Sequence, residues 1–182
     1  MAVESLSVPV GLNIIPFDLP ATDGKNFSVD SFKDANALVV VFSCNHCPYA
    51  KAAWPLLIKL ADEFKEKNVA FVAINPNDEN QYPEDSFGEM KKKVIDWKIN
   101  FPYLRDKNQN IAKAYKAACT PDVFVYDGKR KLYYHGRIND NWQNPNKVKS
   151  EDLKDAINKL LLGNPPPQPQ YPSLGCSIKW KE

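Results

Sequence analysis

Two runs of this chain are apolar at every position and rich in β-branched residues: Ala37–Phe42 (ALVVVF) and Val69–Ile74. A strand with one wet face alternates apolar and polar side chains, and neither run alternates. Both therefore belong inside a sheet that is covered on both faces, which is the setting of strands in α/β proteins. Between them, from about His46 to Lys67, the pattern is helical, with Pro55 inside the run as a point of kinking.

The flanking segments extend the same architecture. Asn13–Leu19 is a short apolar stretch closed by Pro20, Asp23-Gly24 is a turn signal, and Asn26–Val29 returns as the second arm of a hairpin. Asn75–Asp85 is polar and contains proline, so it is a long loop, and long loops in compact domains are often functional. Ser86–Lys98 predicts a helix, with Ser86 and Glu89 as a capping box and Phe87, Met90, Val94 and Trp97 as its apolar face. Phe101–Leu104 is a short strand and Asn110–Ala117 a short helix. Val123–Tyr126 and Leu132–His135 form a hairpin through Asp127-Gly128. Ser150–Leu162 is a last helix, capped by Ser150 and stopped at Gly163. The sum is an α/β sandwich with a mixed central sheet.

Proline sets the domain boundary. The chain has 15 prolines against 7 glycines, and Pro165, Pro166, Pro167, Pro169 and Pro172 crowd one segment. Such a run prefers extended polyproline geometry and cannot continue a helix. Residues 1–163 are thus expected to form the globular domain and 164–182 a proline-rich arm. Ile178 and Trp180 near its end imply that the arm packs back on the body.

Charge narrows the function. A formal net charge of +2 argues against a nucleic-acid binder, which needs a strongly basic stripe. No apolar run approaches the ~18 residues of a membrane span. Met1–Leu12 lacks the basic and apolar regions of a secretory signal, so the expected compartment is the cytoplasm.

The chemistry is concentrated at Cys44-Asn45-His46-Cys47-Pro48, where a buried strand ends and a helix begins. A helix N-terminus favours a thiolate through its positive dipole end and free N–H groups. The Cys-x-x-Cys spacing puts a second sulfur one turn away, within reach of a mixed disulfide on the first. A histidine between the two stabilises the reduced form and makes the disulfide more oxidising, which gives His46 a tuning role. A zinc half-site and a pair of inert packed thiols are the other readings of this spacing. Zinc needs four ligands, and the second pair would come from Cys119, Cys176, His46 or His135, none of them in a paired motif.

The order of strand, Cys44-Asn45-His46-Cys47-Pro48, helix, and then Thr120-Pro121 ahead of strand Val123–Tyr126 resembles the thioredoxin-like fold. The opening hairpin Phe17–Lys25 looks like the N-terminal extension of its redoxin (AhpC/TSA, peroxiredoxin-like) branch. The resemblance covers about Val8–Gly163. It implies a thioredoxin-like three-layer sandwich, a cis peptide bond before Pro121, and a Thr120 backbone that binds a substrate chain. It also implies a thiol–disulfide oxidoreductase in which Cys44 attacks and Cys47 resolves, needing no dissociable cofactor and no metal. Its partners are protein or small-molecule disulfides and a dithiol electron donor.

Departures from the branch frame two alternatives. Peroxiredoxins carry Pro-x-x-x-Thr-x-x-Cys, whose cysteine corresponds to Cys47; here Val40 replaces the proline, Cys44 replaces the threonine, and no arginine lies near Pro121–Val123. The second expectation is an antioxidant thiol peroxidase in which peroxide attacks Cys47 and Cys44 or Cys119 resolves it. The third is a non-enzymatic metal-binding module built on Cys44, Cys47 and a histidine. Cys119, two residues before Pro121, and Cys176, on the arm, are additional redox candidates.

Overall fold

The computed structural model describes residues 2–182. β4 (Ala37–Phe42) and β5 (Val69–Asn75) run parallel, with Ala37 opposite Val69 and Phe42 opposite Ile74. They are the inner strands of a five-stranded sheet. β6 (Tyr103–Arg105) lies parallel to β5 on one side. On the other side β8 (Asp122–Asp127) is antiparallel to β4, and β9 (Leu132–His135) pairs with β8 as a hairpin. The sheet is therefore mixed.

The unbroken apolar run of β4 follows from layers on both of its faces. Val39 and Val41 meet Ala53, Leu57 and Leu60 of α1 (Pro48–Glu63) and Leu153, Ala156 and Ile157 of α4 (Asp152–Leu161). Leu38, Val40 and Phe42 point the other way. They meet Phe17 and Leu19 from the N-terminal segment, Ala112 of α3 (Asn110–Ala114), Tyr115, and Ile178 of the arm. The N-terminal hairpin is short, pairing β2 (Asp18–Pro20) with β3 (Asn26–Ser28). Among the described residues no helix is long and apolar enough to cross a membrane.

Several boundaries move by a few residues, each for a local reason. α1 starts at Pro48 instead of His46 because Cys47, in extended conformation, is the cap, and it runs through Pro55 without ending. α2 (Phe87–Asp96) has the expected Ser86 cap, whose Oγ accepts from Glu89 N at 3.4 Å. The box is not reciprocal: Ser86 N is taken by Pro83 O at 3.0 Å, and the Glu89 carboxylate bonds Lys92. α4 is capped by Glu151, not Ser150.

The larger difference is in residues 164–182. The proline segment bends at Gln168-Pro169, whose peptide bond is cis, and is tethered at its start by the Tyr133 hydroxyl, which lies 2.9 Å from the carbonyl oxygens of both Asn164 and Pro165. Once the prolines end, the N–H groups return and the chain forms a strand, β10 (Leu174–Ser177). β10 is the middle of a second, three-stranded sheet between β1 (Ala2–Glu4) and β7 (Cys119–Thr120), with Cys176 opposite Thr120 and Ser177 opposite Cys119. Gly175 permits this approach: a Cβ there would stand 2.2 Å from the Thr120 carbonyl oxygen. Beyond the strand, Gln109 Nε2 donates to Lys179 O at 2.8 Å and Lys179 N donates to Asn77 Oδ1 at 2.9 Å.

Leu57 is fully buried between α1 and the sheet. Leu57→Ala is expected to lower the unfolding free energy by about 2–5 kcal/mol. Urea denaturation checks this as a lower midpoint at unchanged slope.

Candidate active site

β4 delivers the chain to the loop 43–47, and α1 takes it away with Cys47 as N-cap and Pro48 in the first position. Proline suits that position because its missing N–H would have no helical partner there. Both sulfurs are out of solvent, with Cys44 and Cys47 each 0% exposed. They are not equivalent. Cys44 Sγ lies 3.2 Å from Thr120 Oγ1, and its carbonyl accepts the Trp54 indole N–H at 3.1 Å. Burial pushes its thiol well above the ordinary range, and the bond it gives to Cys47 raises it further.

Cys47 goes the other way, down to about 4, chiefly because the Cys44 thiol donates to it; burial opposes this. The Cys176 thiol and N–H add to the effect, and so does the first-turn N–H of Ala50, which faces the sulfur without closing a full cap bond. Protonated, Cys47 instead donates to Thr120 O at 3.3 Å. The anion thus belongs on Cys47, at the positive end of α1, with Cys44 as its proton-bearing neighbour. This reverses the order expected from the sequence, which placed the attacking thiolate on Cys44. The reason is the position of the cap: the helix starts at the second cysteine of the motif.

The residues between the cysteines are locked by the loop 75–85. Asp85 is fully buried, and its Oδ1 accepts Asn45 N at 2.6 Å. Its Oδ2 accepts Asn77 Nδ2 at 2.7 Å and lies 2.5 Å from His46 Nδ1. The His46 ring stacks on Tyr82 with centroids 4.7 Å apart. The Asn45 amide donates to Glu84 O at 2.8 Å and accepts the Tyr103 hydroxyl at 3.1 Å. Burial alone would raise the Asp85 carboxyl, but the bonds from His46, Asn77 and Asn45 hold it below its ordinary 3.8. The resulting negative charge in turn helps keep Cys44 protonated. The His46 ring bonds Asp85, and it is the Asp85 charge that acts on Cys44.

Asp85 and its partners Asn77 and Tyr82 were not singled out from the sequence. The polar, proline-containing segment 75–85 was the available signal, but nothing in residue order says which of its acids turns inward.

A metal reading would draw on Cys44, His46 and Asp85, whose ligand-type atoms lie within 4.8 Å of one another. His46 and Asp85 already satisfy each other, and Cys47 stands outside the group, so this trio differs from the set of Cys44, Cys47 and a histidine expected for a metal module.

On the other side of the sulfurs, the Thr120–Pro121 peptide bond is cis. Thr120 meets Cys44 through its hydroxyl and Cys47 through its carbonyl, and β10 pairs with its backbone. Cys119 is buried, 3.5 Å from Pro121 O, and burial pushes its thiol far up. Cys176, half-buried, packs against Cys44, Cys47 and Ala50 together with Tyr49. A cavity of about 280 Å³ adjoins the first turn of α1, lined among others by Tyr49, Leu56, Pro121, Arg137 and Trp142. The rings of Tyr49 and Trp142, both in its lining, are in contact, with centroids 3.9 Å apart. The chain has three arginines, and each bonds groups other than the sulfurs. Arg105 bonds Asn75 O at 3.4 Å, Arg130 bonds the carbonyls of Phe32 and Ala35, and Arg137 pairs with Asp152 at 3.0 Å.

A dithiol closing a buried strand, a helix capped by one of its sulfurs and a cis-proline loop against both define a redox protein of thioredoxin-like fold. Residues 10–135 match the AhpC/TSA family, and the chain belongs to it. An uncharacterized conserved protein from Geobacillus kaustophilus is 45% identical, with a TM-score of 0.95 over 100% of this chain and 97% of that one. A hypothetical protein from Sinorhizobium meliloti 1021 is 40% identical, with a TM-score of 0.93 over 98% of each chain. The thioredoxin domain of a thiol-disulfide oxidoreductase from Bacteroides vulgatus shares the fold at 17% identity, with a TM-score of 0.67 over 85% of this chain and 99% of that one. No curated protein matches the chain.

A carboxyl held below 3.8 stabilises the fold fully above that value and ceases to do so as the pH falls through its lower folded value. Asp85→Asn is therefore expected to lower the urea midpoint at neutral pH and to flatten its decline on acidification. Parallel urea titrations of both proteins between neutral and acid pH check this.

Proposed function

We propose that the protein is a thiol–disulfide oxidoreductase that works through the Cys44–Cys47 dithiol, with Cys47 attacking. The observation that carries this reading is the inequality of the sulfurs: Cys47 caps α1 and is held as an anion by a Cys44 thiol that keeps its proton. A substrate disulfide RS–SR′ is attacked at one sulfur by the Cys47 thiolate. The Cys47–S–S–R bond forms, the S–S bond of the substrate breaks, and R′S⁻ leaves. Resolution then deprotonates Cys44, whose sulfur attacks Cys47 and expels RS⁻. The dithiol has lost two electrons, the substrate has gained them, and a Cys44–Cys47 disulfide remains. An external dithiol reverses the last step by the same exchange.

The substrates proposed are protein or small-molecule disulfides. A dithiol donor of the kind that keeps cytoplasmic thiols reduced completes the cycle. The AhpC/TSA match also supports a thiol peroxidase in which Cys47 attacks peroxide. The absence of arginine among the groups bonding Cys47 favours disulfide exchange, because a polarising cation helps to break an O–O bond. Stopped-flow oxidation by hydrogen peroxide separates the two, and a rate above that of free cysteine favours the peroxidase.

The test of the main reading has two parts. With dithiothreitol as donor, the protein is expected to reduce insulin disulfides and Cys47→Ser to fall to background; a Cys47→Ser protein with full turnover overturns the mechanism. Thiolate absorbance in the ultraviolet is expected to persist from neutral pH down to about 4 and to be missing in Cys47→Ser.

A further inference from the structure

The backbone edge at Thr120 already carries a strand, and that strand carries a cysteine. β10 pairs with β7 through Cys176 opposite Thr120 and Ser177 opposite Cys119, and Ile178 N extends the ladder by donating to Ala118 O at 3.1 Å. The glycine at 175 has the only side chain that fits, since a Cβ would meet the Thr120 carbonyl at 2.2 Å and the Pro121 nitrogen at 3.1 Å. From this seat Cys176 packs against Cys44, Cys47 and Ala50. Three sulfurs therefore share one apolar cluster over the first turn of α1.

We propose that β10 is a built-in disulfide partner, and that Cys176 is the thiol that first resolves a mixed disulfide on Cys47. This rests on the reading of Cys47 as the attacking sulfur. Cys176 and Cys44 both touch Cys47, but they differ in access to water. Cys44 is fully buried, whereas Cys176 is partly exposed, so its proton can leave to solvent as its sulfur attacks. Burial lifts its thiol only to about 11, and the Lys179 ammonium favours its anion. The two sulfurs, already packed in one cluster, close to the ~2.05 Å of an S–S bond.

The relay balances at each step. The mixed disulfide on Cys47 is attacked at the Cys47 sulfur by the Cys176 thiolate, the Cys47–Cys176 bond forms, and the bond to the substrate breaks, RS⁻ leaving with its bonding pair. Cys44 then loses its proton and attacks Cys47, forming the Cys44–Cys47 disulfide and returning Cys176 as a thiol. The strand that holds the edge thus completes each turnover before a dithiol donor reduces the pair.

The test uses full-length Cys44→Ser protein and one equivalent of 4,4′-dithiodipyridine as the disulfide, read by thione release and tryptic peptide mapping. The expected result is two thiones per protein and a covalent link between peptide 34–51, which carries Cys47, and peptide 160–179, which carries Cys176. One thione with a pyridyl adduct retained on peptide 34–51 overturns the proposal, and so does a link to peptide 117–129, which carries Cys119. Reaction at a cysteine other than Cys47 overturns the attacking role itself, so the two failures are distinct. Cys176→Ser, with Cys44 present, is expected to leave the first thione intact and slow the second by about tenfold, reflecting loss of the first resolving sulfur. An unchanged second rate in this variant counts against the relay.

Discussion

A sulfur anion out of contact with water must be solvated by the protein, and at Cys47 the solvent is two thiols and two main-chain N–H groups. The Cys44 proton is the largest contributor. It stays on Cys44 chiefly because burial makes ionisation there costly, and Asp85, a second buried anion, adds to that cost. Asp85 is in turn held by three donors from Asn45, His46 and Asn77. The site is a chain of buried charges and donors in which each member fixes the protonation state of the next.

That chain needs a rigid frame, and the sheet supplies it. β4 is anchored by β5 on one side and β8 on the other, so the loop after Phe42 and the loop before Asp122 emerge beside each other. The first carries the cysteines and the second carries Thr120, which touches both of them. Trp54 reaches back from α1 to the Cys44 carbonyl and joins the helix start to the loop. Side chains at both layers of the sandwich therefore act on the same few atoms.

Much of the frame was legible because it rests on local rules. Unbroken apolar runs give central strands, Asp127-Gly128 gives a hairpin, and Cys-x-x-Cys-Pro at a strand end gives a capped helix. Other features depend on contacts that residue order does not encode. Asp85 lies forty residues from Asn45 in sequence, and its burial depends on three donors converging from two segments. Cap geometry decides which sulfur is the anion, and a one-turn motif allows the helix to begin at either. β10 was hidden by the prolines before it, whose preference for extended, unpaired backbone ends at Pro172. Gly175 was a small clue, and only the proximity of Thr120 gives it meaning.

The close seat of Gly175 has a kinetic consequence. With both motif sulfurs fully buried, an external reagent meets Cys47 only in the fraction of molecules whose covering has opened, so its apparent rate is the intrinsic rate scaled by that opening equilibrium. The tighter the covering strand lies, the smaller that fraction, so the enclosure sets the pace before any sulfur chemistry begins.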